Sequence, residues 1–508
     1  MGEIGQMEKN AAPQIQSGKG KENNIAKENG KNFGKRLDNN CRVERPNLLT
    51  NIIPANGKGP LLEERMGEAK PSLTVANARV DDSDVSRSAP SEEWEVILRE
   101  SATTGERLAE YFIKLGENFN LTQQEIDSIN KVSSVYPMLL NKHVIELIRM
   151  KGDPIWDQFV PNEKELFYSD LVEDDPQKEE KDQPIPGVPL THRYPDRVLL
   201  LVSNKCAAYC RHCTRKRRVG KQEKNITMSQ IAKGVEYVQR HKEVRDVLLS
   251  GGDPLMLKDD ELEFILQMIK SIKHVEIIRI GTRMPCTLPQ RITPELTSML
   301  KKYHPLYVNV QFNHPWELSK EARQACNMLA DAGIQLGNQS VLLKGINDDP
   351  ELYKSLCHEL LKVRVKPYYL YQCDLVRGTE HFRVKTLRGL EIINSMKWYT
   401  TGFAVPKFVI DAPGGGGKVE IFDKNSIFAI NEGATVFKNY KGEIVRYPEP
   451  RESIPMNEEL APSHVIGKDV ENGSAKDGNS ADTLLEEKPA ESQLPTPADE
   501  VKNHDKDK

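Results

Sequence analysis

The sequence has no apolar run long enough to cross a membrane and little excess charge. None of its apolar stretches approaches the ~20 residues that span a bilayer, so no transmembrane helix is expected. The polar N-terminus lacks the apolar region of a secretory signal, and Gln6 stands where the N-myristoylation pattern needs Ser or Thr. The net charge of −4 gives no electrostatic reason to expect nucleic acid or an anionic membrane as the main partner.

A disulfide spacing is also missing. The chain has eight cysteines, and apart from one group of three they are scattered without a regular rhythm, at Cys41, Cys286, Cys326, Cys357 and Cys373. Disulfide frameworks belong to oxidising compartments. The cysteine pattern therefore predicts a reducing, soluble compartment such as the cytoplasm, and targeting to an organelle by the N-terminal tail is the alternative.

Two long segments lack the apolar residues that a packed core needs. Residues 1–90 and 455–508 are rich in polar and charged residues and have no sustained periodicity, so both are predicted to be disordered tails. Between them, apolar residues at three- and four-residue spacings predict a helical region over residues 91–185. Residues 186–400 and 401–454 complete the predicted folded part.

Beyond residue 186, short apolar runs alternate with helical patterns. Strand-helix alternation predicts βαβ units and a parallel sheet in an α/β fold. Six strand candidates are too few to close an eight-stranded barrel, so the expected fold is an open, partial six-stranded βα barrel. The strand candidates are residues 197–203, 247–249, 275–280, 306–310, 340–343 and 368–371.

The group of three cysteines, Cys206, Cys210 and Cys213, follows the first strand candidate. Their spacing of four and then three residues lets three thiolates converge on one iron–sulfur cluster. Three ligands around four irons leave one iron free for a non-protein ligand, and the spacing is that of the radical S-adenosylmethionine superfamily. The alternative is half of a zinc site completed by a distant ligand. The chain has no paired zinc-ribbon knuckles, which favours the cluster.

A glycine pair follows the second strand candidate, in Ser250, Gly251, Gly252 and Asp253. Consecutive glycines permit close backbone approach, and such a pair is usually only a turn. One βα unit after a cluster loop, these four residues are predicted to bind the methionine part of S-adenosylmethionine.

A second glycine run, residues 414–417, precedes Lys418. It is not a phosphate loop, because Val419 replaces the required Ser or Thr. A lysine on such backbone can form a Schiff base with pyridoxal phosphate, although a solvated surface loop is the simpler interpretation. Arg193 and Arg197, just before the first strand candidate, could clamp the phosphate of such a cofactor.

Together these motifs resemble the lysine 2,3-aminomutase family, over about residues 92–450. Long runs carry the resemblance, including residues 274–281, 288–294, 336–343 and 371–375. It implies that the three cysteines ligate a 4Fe-4S cluster, that Lys418 holds pyridoxal 5′-phosphate and that Arg193 and Arg197 lie by its phosphate. It further implies that Arg215 pairs with the substrate carboxylate and that Asp374 and Asp411 receive the side-chain ammonium of lysine.

The same resemblance implies an isomerase that interconverts L-lysine and β-lysine by a radical mechanism with S-adenosylmethionine as coenzyme. A reductant such as ferredoxin or flavodoxin and a homo-oligomer are expected. Some family members bind a structural zinc through cysteines, whereas this chain has Asp349 at one such position and no cysteine after Cys373. No zinc is therefore expected here.

Three alternatives remain from the sequence. The substrate could be glutamate or arginine. The enzyme could be linked to modification of a translation factor by β-lysine. A catalytically silent scaffold protein is the third alternative, but the intact cysteines and Lys418 argue against it.

Overall fold

The computed structural model describes residues 93–116, 119–422 and 426–451. Both predicted tails, residues 1–90 and 455–508, lie outside these ranges.

The predicted helical region forms short helices whose starts are capped as the sequence suggests. Thr122 and Glu125 make a reciprocal capping box at the start of one helix, and Asp153 caps another that begins with Pro154. Their apolar faces bury Leu108, Phe112 and further aliphatic side chains in a common core. The helices are α1 (Glu93–Arg99), α2 (Gly105–Leu115), α3 (Gln123–Val135), α4 (Lys142–Leu147) and α5 (Pro154–Phe159).

A barrel-shaped sheet of nine strands follows, in which spatial order equals chain order. Strands β2 to β8 run parallel, and β1 and β9 pair antiparallel at the two edges. The strands are β1 (Leu190–Tyr194), β2 (Arg197–Ser203), β3 (Asp246–Gly251), β4 (Ile277–Gly281), β5 (Leu306–Val310), β6 (Gln335–Val341), β7 (Val365–Tyr371), β8 (Lys407–Ala412) and β9 (Gly417–Glu420).

The predicted partial α/β barrel is confirmed, with more strands than the six expected. Strand β8 extends the parallel series to seven, and the edge strands β1 and β9 were not predicted. The backbone N–H of Lys418 on β9 donates to the Tyr194 hydroxyl on β1 at 2.8 Å, so the two edges meet. The sheet is therefore nearly closed.

Helices cover the outside of the sheet. The predicted apolar face of one helix is buried at Leu262, Ile265 and Ile269, and Asp349 caps another helix before Pro350. The helices are α6 (Met228–Arg240), α7 (Asp259–Lys270), α8 (Met284–Thr287), α9 (Pro294–Leu300), α10 (Lys320–Asp331), α11 (Pro350–Lys362) and α12 (Thr386–Met396).

A small antiparallel sheet ends the described chain, formed by β10 (Ile427–Ile430), β11 (Ala434–Lys438) and β12 (Ile444–Pro448). Across the described ranges, no helix is both long and apolar enough to traverse a bilayer.

The helical region contacts the loop that carries the three cysteines through hydrogen bonds and apolar packing. The Asn141 side chain donates to the backbone oxygen of Ala207 at 2.9 Å, and the backbone N–H of Tyr209 donates to Leu139 at 3.0 Å. Ala208 packs into the helical core itself. The loop is thus held from outside the sheet as well as by the strand that precedes it.

A buried ion triad completes this attachment. The Glu165 carboxylate, fully buried, lies 2.7 Å from the Arg211 guanidinium and 2.6 Å from the Lys216 ammonium. Burial alone would raise the pKa of Glu165, but the two cations outweigh burial and lower that pKa to about 2. Arg211 and Lys216 flank Cys213 in the chain, so the triad fixes the loop on both sides of that cysteine.

Glu165→Gln should lower the free energy of unfolding by about 3–5 kcal/mol, because it leaves two buried cations without their carboxylate. Glu163→Gln is the matched control: Glu163 is half exposed and 3.4 Å from Lys131, and its loss should cost less than about 1 kcal/mol. Urea denaturation of both variants measures the difference. Equal midpoints for the two variants would contradict the structural role of the triad.

Candidate active site

A cavity of about 720 Å³ lies within the barrel-shaped sheet and reaches the carboxyl ends of its parallel strands. Those ends meet at one rim, which is where α/β folds place their ligands. The lining includes every site residue predicted from the sequence, namely Arg193, Arg197, Cys206, Cys210, Cys213, Arg215, Ser250, Gly251, Gly252, Asp253, Asp374, Asp411 and Lys418.

Lys418 faces Asp411 across a tight hairpin. The two residues are directly opposite in the antiparallel pair of β8 and β9, and Lys418 Nζ lies 3.0 Å from Asp411 Oδ2. Gly414, Gly415 and Gly417 all have positive φ, between 75° and 83°, so the glycine run is what allows this turn. Lys418 therefore lies on a strand, rather than on the open loop that the sequence suggested.

The Lys418 amine is charged in this environment. Burial alone favours the neutral amine, but the carboxylate of Asp411 outweighs burial and raises the pKa of Lys418. The Tyr371 ring lies 5.6 Å from Nζ, and Tyr369 also lines the cavity. A buried amine, the carboxylate that pairs with it and aromatic walls make a donor set that fits pyridoxal phosphate.

The two predicted phosphate arginines differ in their engagement. Arg193 is nearly buried, and its guanidinium donates to Asp182 at 2.8 Å and to the backbone oxygen of Gln177. Arg197 is half exposed, lies over the Tyr194 ring at 3.8 Å and pairs with Asp196 at 3.0 Å. Arg197 thus retains more N–H groups for a phosphate than Arg193 does.

Asp374 and Asp411 form an acidic pole of the cavity. Asp374 follows the end of β7, and its carboxylate accepts from the Gln177 carboxamide at 3.0 Å. The same Gln177 nitrogen donates to the backbone oxygen of Asp411 at 3.0 Å. Burial, followed by the charge of Asp411, raises the pKa of Asp374 to about 7. Asp374 therefore favours a bound cation, whereas Asp411 already pairs with Lys418 at 3.0 Å and lies 3.8 Å from Arg193.

Arg215 forms a cationic pole, and Glu179 holds it. Glu179 accepts from Nε and Nη2 of Arg215 at 2.6–3.1 Å, and the Gly251 carbonyl accepts from Nη1 at 3.3 Å. Burial alone would raise the pKa of Glu179, but Arg215 outweighs burial and lowers it to about 2. Glu179 is therefore ionised, and Arg215 has a fixed orientation.

The glycine pair has a structural task as well as its place in the cavity. A side chain on Gly251 would meet the Ser203 carbonyl at 2.0 Å, and one on Gly252 would meet the Lys205 carbonyl at 2.3 Å. The N–H groups of Gly252 and Asp253 donate to these same carbonyls at 2.7 Å. These two N–H groups are therefore already hydrogen-bonded within the protein. The predicted contact with S-adenosylmethionine would have to use the side chains and carbonyl groups of this segment instead.

Asp253 is also held firmly. Its carboxylate accepts from the Thr282 hydroxyl at 2.7 and 2.8 Å, from the Arg283 N–H at 2.8 Å and from the Leu255 N–H at 3.0 Å. Burial raises the pKa of Asp253 to about 6. Its position is rigid, and its oxygens already have protein partners.

The three cysteines are free thiols that line the same cavity. Burial and then the Cys210 thiol raise the pKa of Cys213 to about 11, which shows that the thiols are neighbours. In residues 93–116, 119–422 and 426–451, no three His, Cys, Asp or Glu side chains are grouped for a single metal ion. A four-iron cluster does not need such a group, because each cysteine ligates a different iron.

Nitrogen donors point at two of these sulfurs. The Arg283 guanidinium donates to Cys210 Sγ at 2.7 Å, and the Arg215 N–H donates to Cys213 Sγ at 3.3 Å. These contacts hold two of the three cysteine sulfurs at the wall of one cavity, as a shared iron–sulfur cluster requires. The site therefore fits an iron–sulfur cluster.

Two parts of this site were not predicted from the sequence. Arg283 lies two residues after the end of β4, in a segment without a recognised motif. Residues 175–182, which we call the strap, fall within the predicted helical region 91–185 but form an acidic linker of turns, and Gln177 and Glu179 of the strap line the cavity. The only sequence signal is that a carboxylate and an amide lie two residues apart within that linker.

Comparison with known proteins places these features in a family. Residues 200–356 match the radical SAM superfamily model, and residues 393–502 match the model described as lysine-2,3-aminomutase. The L-lysine 2,3-aminomutase of Fusobacterium nucleatum is 49% identical over 65% of this chain and 78% of its own length. That of Methanococcus maripaludis is 48% identical over 66% of this chain and 78% of its own length.

A relative with another substrate also matches. The glutamate 2,3-aminomutase of Clostridioides difficile is 42% identical over 65% of this chain and 78% of its own length. The family match favours the iron–sulfur cluster over the alternative zinc site and confirms the expected cofactors: cluster, S-adenosylmethionine and pyridoxal phosphate. With the sequence identities, the matched segments and the cavity in agreement, the chain belongs to the lysine 2,3-aminomutase family of radical S-adenosylmethionine isomerases.

Proposed function

We propose that this protein interconverts L-lysine and β-lysine by moving the amino group between neighbouring carbons. The observation that carries this proposal is the pairing of an acidic pole, Asp374 and Asp411, with a cationic pole, Arg215, in one cavity. A lysine molecule carries an ammonium at one end and a carboxylate at the other, so its charges match the two poles.

Each residue has a proposed role. Cys206, Cys210 and Cys213 would hold the cluster, and Lys418 would hold pyridoxal phosphate. Bound there, these groups and S-adenosylmethionine supply a radical that takes a hydrogen and a π-system through which the amino group shifts. The protein orients the substrate and excludes water. Asp411 would orient the Lys418 side chain, whose Nζ lies 3.0 Å from its Oδ2.

Further cofactor contacts belong to the same proposal. Ser250, Gly251, Gly252 and Asp253 would lie against S-adenosylmethionine, and Arg197, with Arg193, near the phosphate. An external one-electron donor such as ferredoxin or flavodoxin would reduce the cluster. We also propose a homo-oligomer without zinc or nucleic acid. A cytoplasmic location agrees with the free thiols.

Electrostatics favour lysine over glutamate. A glutamate side chain would bring a third carboxylate beside Asp374 and Asp411, and like charges in a low-dielectric cavity repel strongly. Arginine satisfies the charge, so shape and length must exclude it. The direct test is anaerobic turnover of L-lysine, L-glutamate and L-arginine by the reconstituted enzyme, with β-lysine expected as the main product. Preferred turnover of glutamate or arginine would overturn the proposal.

Asp374→Asn should depress lysine turnover by a factor of at least about 100, because it removes one partner of a buried ammonium at a cost of about 3–5 kcal/mol. Asp411→Asn should do the same, but it also removes the ion pair of Lys418, so Asp374→Asn is the cleaner test. Asp331→Asn is the control, since Asp331 is exposed and pairs with Arg364. Full activity of both site variants would refute the roles of these aspartates.

Lysine binding should weaken as the pH falls from about 8 to about 6, because a carboxyl group with a raised pKa is neutral below that pKa. The pKa of Asp374 is raised to about 7, and its protonated form no longer attracts the substrate ammonium. KM for lysine as a function of pH measures this effect. In Asp374→Asn the rise in KM at low pH should disappear; an unchanged pH profile in that variant would assign the titration to another group.

Lys418→Ala should abolish the covalent attachment of pyridoxal phosphate, because Lys418 is the one lysine among the described residues that line the cavity. Borohydride reduction followed by peptide mapping should label Lys418 in the wild type and nothing at this position in the variant. Binding of S-adenosylmethionine should persist. Lys441→Ala, which changes an exposed lysine, serves as the control. A label on a different lysine in the wild type would move this role elsewhere.

A further inference from the structure

The strap contacts both poles of the cavity through residues that are two positions apart. The Gln177 carboxamide donates to the Asp374 carboxylate and to the Asp411 backbone oxygen, each at 3.0 Å. The Glu179 carboxylate holds the Arg215 guanidinium at 2.6–3.1 Å. One short segment thus positions the groups proposed to bind opposite ends of the substrate.

The backbone between these two residues is in an uncommon conformation. Lys178 has a φ of 50°, in the left-handed region that residues other than glycine rarely adopt. Its side chain pairs with Glu173 and is not part of the cavity lining, whereas both of its neighbours are. Such a conformation persists only where the surrounding structure holds it, and it clusters at functional sites.

The ends of the strap are tied down. Asp175 pairs with Arg217 at 3.0 Å, and the Pro176 carbonyl accepts from the Gly414 N–H at 2.8 Å. At the other end, Asp182 pairs with Arg193 at 2.8 Å. The strap is therefore a rigid spacer, because its backbone cannot shift without breaking contacts to three separate segments.

Arg215 keeps binding capacity despite its partners. A guanidinium has five N–H groups. Glu179 takes the Nε donor and one on Nη2, and the Gly251 carbonyl takes one on Nη1. One N–H group remains on each terminal nitrogen, so Arg215 keeps donors for a second carboxylate. Glu179 therefore orients Arg215 without using up its ability to bind a ligand.

We propose that Gln177 and Glu179 are positioning residues that together set the distance between the acidic and cationic poles, and so select a diamino acid of lysine's length. This inference rests on the proposed function, because it takes the two poles as the subsites for the side-chain ammonium and the α-carboxylate. Gln177 acts through Asp374 and Asp411, and Glu179 acts through Arg215.

The roles of Gln177 and Glu179 can be tested separately with ligands that lack one of the two charged groups of lysine. L-lysine has both poles, 1,5-diaminopentane lacks the carboxylate, and L-2-aminohexanoate lacks the side-chain ammonium. Dissociation constants are measured anaerobically, without reductant, on enzyme loaded with its cofactors, from the absorbance change of bound pyridoxal phosphate. No turnover occurs under these conditions.

Glu179→Gln should raise the dissociation constants of lysine and 2-aminohexanoate by about tenfold or more. The dissociation constant of diaminopentane should not change, because only the orientation of Arg215 is lost. Gln177→Met should weaken lysine and diaminopentane and leave 2-aminohexanoate unchanged. In both variants the preference for lysine over ornithine should fall. Glu180→Gln is the matched control: this neighbouring carboxylate is 59% exposed and should have no effect.

The outcomes separate this inference from the proposed function. If both variants weaken all three ligands equally, or weaken none, the strap does not set the spacing of the poles and the inference is wrong. If wild-type enzyme makes no β-lysine from lysine, the proposed function fails whatever the binding pattern is. If wild-type enzyme converts lysine but the two variants do not show opposite effects on diaminopentane and 2-aminohexanoate, only the inference about the strap is wrong and the proposed function stands.

Discussion

The buried carboxylate of Glu165 is the contact on which the rest of the site depends. It lies between Arg211 and Lys216, at 2.7 and 2.6 Å, in a place where none of the three charges reaches water. Leaving one of these charges unpaired would cost several kcal/mol of folding free energy, so the three side chains stay in contact in the folded protein. Because the cations flank Cys213, this triad attaches the cysteine loop to the helical region, and the glycine pair attaches it to β3.

In the cavity, too, most buried charges are paired with an opposite charge, but one carboxylate is not. Arg193, Arg215 and Lys418 each have a carboxylate partner, namely Asp182, Glu179 and Asp411. Asp374 instead accepts from the Gln177 amide, and its pKa rises because burial and then the like charge of Asp411 outweigh that hydrogen bond. Within the described residues Asp374 has no ion pair, so the substrate ammonium proposed for this site would supply one.

Closure of the sheet brings the two edge strands into the site. Strand β9 carries Lys418, β1 carries Arg193, and β2 begins at Arg197. The contact between Lys418 N–H and the Tyr194 hydroxyl joins these edges. The glycine hairpin makes this possible, because three positive-φ positions reverse the chain within a few residues and leave Lys418 opposite Asp411. The unpredicted edge strands are thus part of the function, and the seventh parallel strand, β8, supplies Asp411.

The amino-acid sequence by itself determined the alternating α/β pattern, the cluster cysteines and the motifs that mark the family. Each of these depends on short-range spacing: period 3.6 for the helices, apolar runs for buried strands, and three cysteines within one loop. The residues predicted for the site also line one cavity, because strand order carries them to a common rim. Only the tertiary structure decided that residues 175–182 form a wall of that cavity rather than part of the helical region, and that Arg283 contacts Cys210. The Gln177–Asp374 contact joins residues 197 positions apart and the Arg283–Cys210 contact joins residues 73 apart, and no local pattern encodes such pairs. The pKa of Asp374 likewise arises from burial and from Asp411, which come together only in the folded chain.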